Sequence, residues 1–109
     1  MYEIKSKIVS IEGRDIELFK REVYKCNVLE VTAGTNGYKG GDAGHGSRTY
    51  FRLKDLAGTD IHIKPLVDKH GFEEGVEIVL GGDSELDTFI NALKFAVKVL
   101  EDQRDEVWD

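Results

Sequence analysis

Polar and apolar side chains alternate through most of the first eighty residues. A period of two marks strands with one buried face. Tyr2 to Ile11 reads as a first strand, with the alternation slipping at Ile8–Val9 as at a β-bulge. The run Glu12-Gly13-Arg14-Asp15 predicts a hairpin turn into a second strand, Ile16 to Phe19. Val23 to Thr32 gives a third, with Val23, Leu29 and Val31 on one face. Thr49 to Leu56 is the clearest. Thr49, Phe51 and Leu53 project to one side of it, and Arg48, Tyr50, Arg52 and Lys54 to the other. Asp60 to Pro65 and Val76 to Gly82 complete the set. If Leu53 stands opposite Ile63, His62 and Lys64 join the face of Arg52 and Lys54. Pro65 belongs at a strand end or on an edge.

From Ser84 the period changes. Ser84 and Asp87 form a capping pair. Leu86, Ile90, Leu93, Val97, Leu100 and Val107 then follow 4-3 spacing, and Phe89 and Ala96 widen the stripe. A helix over 84–108 would be roughly 37 Å long at 1.5 Å per residue. A small sheet is narrower, so part of the helix is expected on the sheet and the rest against a second subunit. The predicted fold is α+β in a single domain: an antiparallel sheet of five or six strands over 1–83, followed by one long C-terminal helix.

Six of the twelve glycines fall in one connection: Gly34, Gly37, Gly40, Gly41, Gly44 and Gly46. Glycine lets the backbone reach positive φ and approach a ligand without a Cβ between them. Successive amides in such a segment can cradle an anion. Neither standard phosphate loop is present. Gly41 and Gly46 have Walker spacing, but Ser47-Arg48 stands where Lys-Ser/Thr is required and a strand follows. Gly44 and Gly46 begin a dinucleotide fingerprint, but Thr49 occupies the third glycine position. The segment instead delivers Arg48 and Tyr50 to one strand face. Arg forks onto phosphate, and Tyr offers a ring on which a base can stack. The candidate ligand-binding set over 34–47 and the following strand is Asn36, Tyr38, Lys39, Gly40, Gly41, Asp42, Gly44, His45, Gly46, Ser47, Arg48, Thr49, Tyr50 and Arg52. Arg48 and Arg52 would neutralise phosphate, Tyr50 or Tyr38 would stack, and His45 and Asn36 would read ribose or base edges. The plain alternative is a hairpin connector beside a solvated charged face.

Charge narrows the ligand. The chain of 109 residues has a net charge of -6, so long nucleic acids are not expected partners. The acid is uneven: residues 84–109 hold seven acidic and three basic side chains, against fourteen and twelve before them. The strand region is nearly neutral and can carry a local basic pocket for a small anion. No apolar run approaches ~18 residues, so no membrane span is expected. The N-terminus lacks a signal-peptide block. Single Cys26 cannot form an internal disulfide, reads as a small buried apolar residue, and points to a reducing cytoplasm. Catalysis is not expected. His45-Gly46-Ser47 looks like half of a two-histidine phosphoesterase, but His62-Ile63-Lys64 and His70-Gly71-Phe72 do not supply the other half. Asp42 and His45 are too few to hold a metal, and no cofactor is implied.

The run GTNGYKGGDAGHGSRTYFRLKDLAGTDIHI, followed by one terminal helix, resembles small phage-encoded proteins of the Thoeris anti-defence sponge family. The resemblance lies in layout and in this glycine-rich segment. It implies a homo-oligomer that binds a cyclic ADP-ribose signal, or a cyclic oligonucleotide, without cleaving it, in the cytoplasm of an infected bacterium. The ligand would sit between subunits. This chain departs from the family layout in having one helix in place of a helical hairpin, and the candidate residues above come from their chemistry alone. The expected function is sequestration of a small signalling nucleotide, blocking an anti-phage immune pathway. Self-association is expected through the C-terminal helix. The alternatives are a protein-interaction module acting through the helix or a sheet edge, and a small phosphodiesterase.

Overall fold

In the computed structural model of the protein, which describes residues 4–37 and 47–105, the chain first reverses at a two-residue turn. Glu12 and Gly13 both take positive φ, 51° and 83°. This is the conformation whose twist matches an antiparallel hairpin. The turn joins β1 (Lys5–Ile11) to β2 (Arg14–Tyr24), and their register runs unbroken from Lys5 opposite Lys20 to Ile11 opposite Arg14. The bulge expected at Ile8–Val9 is therefore absent. The alternation slips because β1 is an edge strand with apolar residues on both faces, and Ile8 is 70% exposed.

β3 (Val28–Thr35) pairs with β2 and with β4 (Thr49–Ala57), giving a four-stranded antiparallel sheet in the order β1-β2-β3-β4. β2 is longer than expected and takes in Val23, the expected start of the third strand, while β3 begins only at Val28 and runs on to Thr35. The two turn about Cys26, which is exposed and not buried. Its place at the turn between two strands overrides the usual burial of the residue type. β5 (Ile61–Val67) and β6 (Glu73–Leu80) form a separate two-stranded ribbon. Ile63 stands opposite Ile78, not Leu53, so His62 and Lys64 do not extend the face of Arg52 and Lys54. Pro65 lies within β5, which has a ladder on one side only and so tolerates a missing donor. The α+β class with six antiparallel strands before one long helix is as the periodicity predicts, with the strands divided four and two.

The helix α1 (Asp83–Asp105) packs chiefly on β3. Thr88, Ala92, Phe95, Ala96 and Val99 are its buried residues. They meet Val23, Val31 and Ala33, with Phe19, Leu53 and Leu100 at the margin. Alanines at 92 and 96 and at 33 let helix and strand approach closely, while Phe95 and Val99 contribute about 1.5–3 kcal/mol each by burial. The 4-3 stripe of Leu86, Ile90, Leu93 and Val97 is not the face that packs. It lies on the opposite side of the helix and stays exposed, Val97 to 52%. The ribbon also carries exposed apolar residues, among them Ile63, Val76 and Phe72.

Ser84 does not cap the helix, because α1 starts one residue earlier and Leu86 N donates to Gly82 O. A buried polar chain ties this end to the sheet instead. Thr88 Oγ1 lies 2.8 Å from Ser84 O and 3.0 Å from Asn27 Oδ1. Asn27 Nδ2 donates to Thr59 Oγ1 at 2.9 Å. Asn27 and Thr88 are each 1% exposed. At the surface, Lys25 Nζ donates to Asp87, a hydrogen bond and charge pair that hold the lysine above its ordinary pKa. Thr88→Val keeps the shape but strands Asn27 Oδ1 without a donor. It should lower unfolding stability by about 1–3 kcal/mol, read by urea denaturation; an unchanged midpoint would remove the role given to this chain.

Candidate functional site

The glycine-rich connection leaves the sheet between β3 and β4, and its stem is closed by side chain to main chain bonds. Arg48 N donates to Asn36 Oδ1 at 2.8 Å, and Asn36 N donates to Arg48 O at 3.3 Å. Gly37 N donates to Thr35 Oγ1, which is 2.9 Å from the hydroxyl of Thr49. Asn36 thus has its carboxamide oxygen committed to the stem. Arg48 Nε donates to Glu12 Oε1 at 2.6 Å, and its Nη1 donates to Ser47 O at 2.9 Å. A phosphate approaching Arg48 would share the guanidinium with the β1–β2 turn. Of the other expected residues, Tyr38, Lys39, Gly40, Gly41, Asp42, Gly44, His45 and Gly46 lie outside the described residues.

The helix also reaches the stem. If the β2–β3 ladder continued past Phe19–Ala33, Glu17 would stand opposite Thr35. The carboxamide of Gln103 takes that place. Its Oε1 accepts from Thr35 N at 2.8 Å and its Nε2 donates to Glu17 O at 2.9 Å. One side chain near the C-terminal end of α1 thereby satisfies two main-chain groups where the strands part.

Tyr50 and Arg52 are placed differently from Thr49. They lie on the sheet face away from α1, as alternation predicts, whereas Thr49 pairs with Thr35 on the helix side. On that outer face Thr32 stands opposite Arg52 and opposite Lys20, and Lys20 stands opposite Lys5. Lys5, Lys20, Thr32 and Arg52 therefore form one straight row across four strands. The neighbouring row has Lys7 beside Leu18, and Tyr50 opposite Gly34. Gly34 must lack a side chain here, because a Cβ would come within 2.6 Å of Leu18 Cδ2 and 2.5 Å of Glu17 O. The two rows line a concavity of about 380 Å³ with an apolar floor that includes Val9, Ile11 and Leu18. No acidic residue lines it among the described residues. Lys20 Nζ reaches Glu30 outside it at 3.8 Å, a loose pair.

Lys5, Lys7, Lys20 and Thr32 were not among the residues singled out from sequence. They come from three strands and converge only through register, which one sequence does not display. A larger open groove of about 1100 Å³ runs between β2 and α1 past Phe19, Arg21, Lys94 and Lys98, and it contains none of the expected residues. Both described histidines are exposed, with His62 Nε2 3.2 Å from Asp60 Oδ1. No cluster of three metal-ligating side chains occurs among the described residues, and none of the described helices is long and apolar enough to cross a membrane. Comparison with protein-family models, curated proteins and solved structures finds no match to this chain.

Gln103→Ala tests the link from helix to stem. Hydrogen exchange of the Thr35 amide should accelerate while amides of the central β2–β3 ladder keep their protection. Equal protection of Thr35 in both proteins would show that the carboxamide does not hold the stem.

Proposed function

We propose that this protein captures a small phosphorylated nucleotide, of the cyclic ADP-ribose or cyclic oligonucleotide kind, and holds it without cleaving it. The observation that carries the reading is the concave sheet face at the foot of the glycine-rich connection, where Tyr50 and Arg52 lie beside three lysines and a threonine. An aromatic ring next to clustered cations is the chemistry that grips a base and its phosphates. Arg48 stands at the connection's stem, where it can close on the same ligand from the rim. Capture of a scarce signal needs affinity better than micromolar, about -8 kcal/mol, and a pocket shared by subunits would exclude more water than one open face.

The exposed stripe of α1 supports self-association. A two-fold antiparallel pairing centred between Asn91 and Ala92 sets Leu86 against the partner's Val97 and Ile90 against the partner's Leu93. It also lays Asp87 on the same flank as the partner's Lys94 and Lys98. A second reading, a protein-interaction module, draws on the same stripe and on the exposed apolar residues of the β5–β6 ribbon. In the first reading the setting is the cytoplasm of a phage-infected bacterium and the captured nucleotide is an immune signal.

Native mass spectrometry with cyclic dinucleotides, cyclic trinucleotides and ADP-ribose isomers separates these readings. The expected result is an oligomer that retains a nucleotide recoverable unchanged after heat denaturation. Arg48→Ala should lose the nucleotide and keep the oligomer, whereas Leu93→Glu should give monomers. If no nucleotide in the panel shifts the mass or the melting temperature, the reading fails; a converted product would make the protein an enzyme.

A further inference from the structure

The outer sheet face contains two features that cost stability as they stand. Lys5 and Lys20 are directly opposite each other on adjacent strands, an arrangement in which like charges destabilise a sheet, offset only in part by the loose 3.8 Å approach of Lys20 Nζ to Glu30. Thr32 is 7% exposed, and its Oγ1 is buried with no hydrogen-bond partner among the described residues. A buried hydroxyl without a partner forfeits the hydrogen bonds it had in water. Both features lie in one row and line one concavity with Arg52 and Lys7. A tetrahedral oxyanion seated there would relieve both, taking a hydrogen bond from the threonine and charge from the cations.

We propose that the row Lys5–Lys20–Thr32–Arg52 is a phosphate-binding site for a molecule carrying at least two phosphoryl groups. The row spans roughly 14 Å at the backbone, three strand spacings of about 4.8 Å, wide enough to seat two phosphoryl groups side by side between Lys5 and Arg52. Arg52 takes two oxygens of one phosphoryl group in a fork, with Thr32 Oγ1 donating to the same group. Lys20 and Lys5 neutralise the second group, and Lys7 closes the rim. Tyr50, in the neighbouring row, stands where a group attached to the phosphates would emerge. The assignment deepens the nucleotide reading and rests on it for the choice of phosphate among oxyanions.

Inorganic pyrophosphate, free of any base, is the direct probe, titrated calorimetrically into the intact protein alongside orthophosphate, adenosine and ADP. Pyrophosphate and ADP should bind with measurable heat, orthophosphate at least tenfold more weakly, and adenosine not at all through this row. Arg52→Gln and Lys20→Gln should each weaken pyrophosphate tenfold or more. Thr32→Val, which preserves shape and strand preference, should weaken it several-fold with a melting temperature no lower than the wild type's. No binding of pyrophosphate, or equal binding by wild type, R52Q and K20Q, overturns the site. A nucleotide that binds R52Q and K20Q as well as wild type but is lost in R48A removes this site and keeps the nucleotide reading. Pyrophosphate bound here with no nucleotide retained does the reverse.

Discussion

The four-stranded sheet and the helix meet at β3, and the alternation of that strand is the constraint on which both depend. Val31 and Ala33 face the helix and have to be small enough for α1 to sit close. Thr32 and Gly34 face the other way and have to be small for a different reason: cationic side chains from β1, β2 and β4 gather over them. A larger residue at 34 would meet the backbone of β2. One strand thus serves as core on one side and as the floor between charged residues on the other. Its two neighbours supply the width that makes a concavity possible.

That arrangement explains why a chain of net charge -6 can carry a cationic face. The acidic residues concentrated after position 83 ride largely on the helix, on the far side of the sheet from Lys5, Lys7, Lys20 and Arg52. The sheet separates these helix carboxylates from the cations, and at physiological salt a Debye length of about 8 Å further isolates them. Glu22 and Glu30 share the outer face in the next row but do not line the concavity. The helix takes part in the proposed site without touching it. Gln103 fills the gap where β2 and β3 part, so the stem of the glycine-rich connection is braced from the helix side.

Strand alternation and the switch to helical period were sufficient to read the fold class, because both follow from which faces are buried. The division of strands into four and two was not legible. Ile63 is as good a partner for Leu53 as for Ile78 by composition, and it pairs with Ile78. The helix misled in a specific way: the more hydrophobic 4-3 stripe is exposed, and the buried face includes Thr88, Ala92 and Ala96. Close packing selected small residues there, so hydrophobicity alone ranked the faces wrongly. At the site, Tyr50 and Arg52 were found by alternation on a single strand. Lys5, Lys7, Lys20 and Thr32 needed the register of three further pairings. Arg48 was found as a residue, but its bond to Glu12 was not.

The central claim is that the outer face of β1–β4, centred on Thr32, is where this protein grips phosphate. Soaking crystals in tungstate, a heavy tetrahedral oxyanion, and mapping its anomalous scattering locates the strongest oxyanion site without reference to affinity or biology. The account predicts a peak within hydrogen-bonding distance of both Thr32 Oγ1 and the Arg52 guanidinium. A peak confined to the helix side of the sheet, or no ordered peak on the β1–β4 face, would contradict it.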